Sequence, residues 1–199
     1  MNLMTAASSL PAPTLPRMTA EEFLRLPDGG RGYELIDGEL VERTVCAKSS
    51  RIGVLVSSWI QVWSEINLAL WIVGSDASFR CFSDDPNRVR RADVAVIAFD
   101  RMTLEQYEDS GFITICPDLV VEVISPNDLA SEVIRKRMDR LEVGVRMVWI
   151  VYPEDRSVHV YQSGARPLIY TAEDSLPGEP VLPGFAVPVA DLFRLPTAS

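Results

Sequence analysis

The stretch Leu119-Val120-Val121-Glu122-Val123-Ile124 is an apolar run broken by one carboxylate. On a strand, Val120, Glu122 and Ile124 point to the same face. A lone ionised carboxylate in an apolar interior costs several kcal/mol, so Glu122 calls for a partner. An arginine, a hydrogen-bonded network and a metal ion would each serve. Asp93 has a similar setting, at the head of the apolar stretch DVAVIAF and just after Arg90-Arg91. If the two strands are neighbours, the carboxylates converge at one end of a sheet. Hard divalent cations such as Mg²⁺ take oxygen ligands and keep several waters, so two carboxylates and a phosphate oxygen suit one.

Two further residues join them. Lys136, in RKRMDR, is one of only two lysines in a chain whose other basic residues are arginines. A lysine there suits a role for a compact charge or an exchangeable proton. Glu34 sits in Tyr33-Glu34-Leu35-Ile36, on the opposite face from Tyr33 and Leu35. Taken singly, each residue has a plainer reading. Glu122 is then a salt-bridged strand residue, Asp93 a strand-start cap, Lys136 a solvated helix residue and Glu34 an exposed hairpin residue.

These positions need a scaffold. Thr19-Ala20-Glu21-Glu22 has capping-box form and predicts a short helix to about Leu26. Asp37-Gly38 between strand formers predicts a hairpin over Tyr33–Arg43. Ile52, Leu55, Val56, Trp59, Ile60, Trp63 and Ile66 recur at helical spacing and predict a long amphipathic helix from Ser49 to about Ala69, its tryptophans in the core. LWIVGS, SFRCF, DVAVIAF and CPDLVVEVI read as strands. Asn127 or Asp128 is positioned to cap a helix that ends near Val143 at Gly144. RMVWIVY and SVHVYQ read as paired strands, the latter holding the only histidine, His159. Strand–helix–strand around residues 118–151 implies a parallel crossover in a mixed sheet, hence an α/β or α+β fold. No second domain or repeat is evident: residues 1–17 read as a disordered Pro/Ala/Ser-rich tail and 18–195 as one domain.

The chain has 199 residues and a net charge of -9, a balance that does not favour avid nonspecific nucleic-acid binding. Cys46, Cys81 and Cys116 lack metal or disulfide spacing, and no apolar run approaches the ~18 residues of a membrane helix. A cytoplasmic protein without a membrane anchor is expected. No glycine-rich phosphate loop appears.

The combination YELIDGELVE, VRRADVAVI, PDLVVEVISPND and K-x-x-x-R-L-E-V-G-V-R-x-V-W-I-V resembles the Uma-type family of putative restriction endonucleases, within the PD-(D/E)XK nuclease superfamily. The resemblance runs from about Met18 to Tyr161. It implies a restriction-endonuclease-like core, a mixed β-sheet flanked by helices. It implies that Asp93 and Glu122 hold Mg²⁺ or Mn²⁺, that Lys136 completes the catalytic set, and that Glu34 is an additional acid. The superfamily's usual lysine position, two residues after the Glu, is Ile124 here; Lys136, eight residues before Gly144, takes that role in the family pattern. Ala92 replaces a usual proline and Arg140 a common tyrosine. The implied activity is metal-dependent hydrolysis of DNA phosphodiesters, with Arg90, Arg91, Arg135 and Arg137 as candidate backbone contacts and a homodimer as the expected assembly. A nuclease-fold binding or interaction module without turnover is the alternative.

Overall fold

A computed structural model describes residues 17–44, 46–109 and 111–196. The expected N-terminal tail lies outside these except for Arg17. Helix α1 (Ala20–Leu24) starts with the expected box: Thr19 accepts from the Glu22 amide and Glu22 accepts from the Thr19 amide. Strands β1 (Tyr33–Ile36) and β2 (Glu39–Glu42) form the hairpin, with Asp37 and Gly38 both at positive φ, 52° and 76°, as a type I′ turn requires. Helix α2 (Ala47–Asn67) follows, its buried stripe formed by Ile52, Val56 and Ile60.

Strands β3 (Leu70–Gly74), β4 (Ser78–Phe79), β5 (Arg90–Arg91) and β6 (Val94–Ala98) come next, then the exposed helix α3 (Leu104–Glu108). Of SFRCF, only Ser78 and Phe79 are extended in a ladder. Strand β7 (Leu119–Val123), helix α4 (Ala130–Glu142) and strand β8 (Met147–Tyr152) form the crossover, and β7 and β8 pair in parallel as expected. Strand β9 (Ser157–Gln162) returns antiparallel to β8. The last third adds β10 (Leu168–Tyr170), then a small hairpin of β11 (Ser175–Pro177) and β12 (Ala186–Pro188). The six-stranded sheet runs β10-β9-β8-β7-β6-β3.

Both faces of this sheet are covered, which explains the near-continuous apolar strands. On one face, α2 and the C-terminal residues Leu182, Phe185 and Leu192 pack on Val94, Val96, Val121 and Trp149. On the other, Ala95, Ile97, Val120, Val148 and Ile150 form a second core with Val133 and Leu141 of α4. Burying each such aliphatic side chain contributes roughly 1.5–3 kcal/mol. Glu122 belongs to the α4 face, as its alternation with Val120 requires. Trp59 and Trp63 pack against the α2 core, in agreement with the core reading.

Two local expectations change. The N-cap of α4 is Leu129, not Asn127 or Asp128. Asp128 instead accepts from the Ser125 amide at 2.6 Å and the Thr44 hydroxyl at 3.2 Å, closing the turn after β7. Glu34 is not an exposed hairpin residue: it is 1% exposed. The bridge between Leu35 and Val89, with both amide–carbonyl hydrogen bonds at 2.9 Å, draws the hairpin onto β5 and buries it. No described helix is long and apolar enough to cross a membrane.

Candidate functional site

Strands β6 and β7 pair antiparallel with Val94 opposite Val121, a register that brings Asp93 beside Glu122. The Asp93 carboxylate spans to the neighbouring strand: Oδ2 accepts from the Val123 amide at 2.7 Å. Its Oδ1 accepts from Arg43 Nη2 at 2.8 Å. Glu122 Oε1 accepts from Arg140 Nη2 at 3.0 Å; among the described residues Oε2 has no hydrogen-bond partner. Asp93, Glu122 and Lys136 line one small cleft with Arg43, Thr44, Ile124 and Asp128. Lys136 belongs to no ion pair among the described residues, and its charge acts on both Asp93 and Glu34.

Electrostatics separate the acids. Burial, and then the neighbouring Glu122 charge, push the Asp93 carboxyl up to about 6; Arg43, the Val123 amide and Lys136 offset only part of this. Glu34 is more deeply buried. Burial pushes its carboxyl up too, but Arg90, Lys136, Arg140 and the Arg91 amide outweigh that and hold it below the usual range. Its oxygens accept from Arg90 Nη1 at 3.1 Å and from the Arg91 amide at 2.7 Å. Arg90 also pairs with Asp139, and Arg140 also donates to the Arg91 carbonyl.

The four anticipated residues therefore do not stand alike. Asp93, Glu122 and Lys136 share the cleft. Glu34 sits behind it, 4.0 Å from the Arg140 guanidinium that also holds Glu122. Arg90 and Arg91, read as contacts to a nucleic-acid backbone, are 1% and 3% exposed and occupied internally, so that reading is corrected. Arg137 lies over the Tyr161 ring at 4.8 Å, while Arg135 is exposed. His159 packs against Tyr152, with ring centroids 4.5 Å apart.

Sequence reasoning missed Arg43 and the structural roles of Arg140 and Asp139. The latter two follow Lys136 by four and three residues, so helical spacing carried a signal for them. Arg43 follows β2 and reaches Asp93 across fifty positions, with no local signal. A larger groove between the start of α2 and Leu192–Leu195 is lined by apolar and basic residues and holds no carboxylate.

Among the described residues no three of His, Cys, Asp and Glu cluster as a ready-made metal cage. The donor set still fits a hard cation. Two adjacent carboxylates, one of them resisting ionisation, are stabilised by added positive charge, and Mg²⁺ characteristically completes its shell with water and substrate oxygens.

A family model described as "Uma2: Putative restriction endonuclease" matches residues 20–190. Among solved structures, the chain is similar to a putative nuclease belonging to DUF820 from Anabaena variabilis ATCC 29413. The TM-score is 0.73 at 22% identity, over 88% of this chain and 97% of that one. At that identity the likeness speaks to the fold alone: the mixed α+β sheet flanked by helices is shared with that structure. No curated protein matches.

Proposed function

The chain belongs to the Uma2 putative restriction endonuclease family, and from that premise we propose a divalent-metal-dependent endonuclease acting on DNA. Residues 18–195 form its single nuclease domain. The observation that carries this reading is the convergence of Asp93, Glu122 and Lys136 in one cleft.

Asp93 and Glu122 would hold Mg²⁺ or Mn²⁺. Such an ion, when bound, polarises a phosphate oxygen and lowers the pKa of bound water. Arg140 anchors one oxygen of Glu122 and leaves the other for the cleft. The Val123 amide fixes the rotamer of Asp93. Lys136 presents its ammonium to the same space and stabilises charge developing on the phosphate. Glu34 acts through Arg90 and Arg140, as a positioning residue. Arg135 and the partly exposed Arg137 are the remaining candidates for backbone contact. Cutting both strands of a duplex suits a homodimer in the cytoplasm, where DNA is the substrate.

A second reading has a specific observation behind it. Both acids already carry a guanidinium partner, Arg43 on Asp93 and Arg140 on Glu122. A nuclease-fold binding module without turnover would look the same at these positions. Calorimetric titration of Mn²⁺ into wild type and Glu122→Ala separates the two. The nuclease reading expects binding that disappears in the variant. Equal heats in both proteins would remove Glu122 from any metal site.

A further inference from the structure

The geometry points to Arg43 as a displaceable internal cation that occupies Asp93 in the metal-free protein and must release it for a divalent ion to bind. This rests on the reading of Asp93 and Glu122 as metal ligands. Both Asp93 oxygens are engaged, Oδ2 by the Val123 amide and Oδ1 by Arg43 Nη2 at 2.8 Å. The amide is part of β7, where Val123 pairs with Val151 of β8, and cannot leave without opening the sheet. Arg43 can leave, because it enters from outside the sheet, one residue beyond β2. Its backbone is held separately, the Arg43 amide donating to the Gly32 carbonyl at 2.8 Å, so side-chain rotation alone frees Oδ1.

The two guanidinium groups at the site differ in this respect. Arg140 is 1% exposed and held by the Arg91 carbonyl and Glu122 together, on the α4 side. Arg43 lines the small cleft itself, with its side chain 7% exposed. Its other nitrogen, Nη1, donates to the exposed Ser75 carbonyl at 2.9 Å. A released guanidinium keeps that carbonyl and faces the Asp128 carboxylate, which lines the same cleft. A guanidinium and a dication on one carboxylate oxygen repel each other strongly in a partly desolvated site. Occupation by one therefore opposes occupation by the other. Substrate phosphate entering the cleft supplies a further anion that draws Arg43 away, so metal and nucleic acid bind cooperatively.

The test is Mn²⁺ calorimetry on the full chain, comparing wild type, Arg43→Gln and Glu122→Gln, with thermal melts to confirm that each is folded. Arg43→Gln is expected to bind Mn²⁺ at least about tenfold more tightly than wild type, because a competing like charge is gone. Glu122→Gln is expected to lose binding. In ¹⁵N spectra of wild type, Mg²⁺ shifts the Arg43 guanidinium signal, identified by its loss in Arg43→Gln, and leaves that of Arg140 in place. Unchanged or weaker Mn²⁺ affinity in Arg43→Gln, with binding still lost in Glu122→Gln, overturns the role of Arg43 and leaves the metal site standing. Weaker DNA binding without a change in Mn²⁺ affinity likewise overturns it and makes Arg43 a phosphate contact. Mn²⁺ binding that survives Glu122→Gln removes the metal-site reading itself, and the inference with it.

Discussion

Asp93 lines the cleft and Glu34 lies behind it, yet their pKa values are shifted in opposite senses. The more deeply buried Glu34 is held below the usual carboxylate range, and the less buried Asp93 is raised to about 6. Burial therefore does not decide the outcome; compensation does. Glu34 has two arginines, a backbone amide and the Lys136 field. Asp93 has one arginine, one amide and the Lys136 field, set against a carboxylate neighbour. The first cluster is electrostatically closed and braces β1, β5 and α4. The second is incomplete, and incompleteness is what a site for an added cation requires.

The contrast can be broken first at the brace. Arg90→Ala leaves Glu34 and Asp139 without their shared partner in a buried setting, and is expected to cost about 3–5 kcal/mol in urea melts. Arg43→Ala, at the cleft wall, is expected to cost about 1–2 kcal/mol. Equal losses would erase the distinction between a closed and an open cluster.

Acid titration sharpens it next. The folded protein keeps a proton on Asp93 up to about pH 6, whereas the unfolded chain releases it near 3.8. The folded state thus binds more protons between those values, and metal-free stability falls as pH rises through that window. The loss is at most about 3 kcal/mol, and Asp93→Asn should flatten it. Glu34 acts with the opposite sign: its contribution is present above its ordinary 4.5 and is lost as pH falls through its depressed folded value. Stability curves of wild type and Asp93→Asn between pH 4 and 6.5 isolate the Asp93 contribution, since Glu34 changes below 4.5; parallel curves would show that Asp93 is not strained. The smallest effect on stability is expected at Lys136→Ala. Cleavage should fall about 100-fold, roughly 2.7 kcal/mol, with little change in melting. A melting loss as large as that of Arg90→Ala would assign Lys136 to the brace instead.

Much of this site was readable from residue order. A carboxylate inside an apolar strand and another heading a strand of the same kind marked Glu122 and Asp93, and the parallel crossover followed from strand–helix–strand order. The lysine stood out weakly, as one of two among arginines, and its expected role came from the family pattern. What could not be read were contacts fixed by tertiary register. Arg90 and Arg91 look like surface residues in the polar string leading to β6, and tertiary contacts enclose them, the Leu35–Val89 bridge and the pairing of β5 with β4 among them. Arg43 pairs across fifty positions, which no local period encodes. Strand β10 was missed because three residues in a proline- and turn-rich segment carry too little pattern to declare a sheet edge.

The central claim is that the incomplete cluster is a metal-dependent hydrolytic centre. Nicking of supercoiled plasmid by the purified protein in Mn²⁺, beside Glu122→Ala and an EDTA control, tests it most directly. The account expects wild type to convert the plasmid only when Mn²⁺ is present, and Glu122→Ala to remain at background. Conversion at the wild-type rate by Glu122→Ala would contradict it.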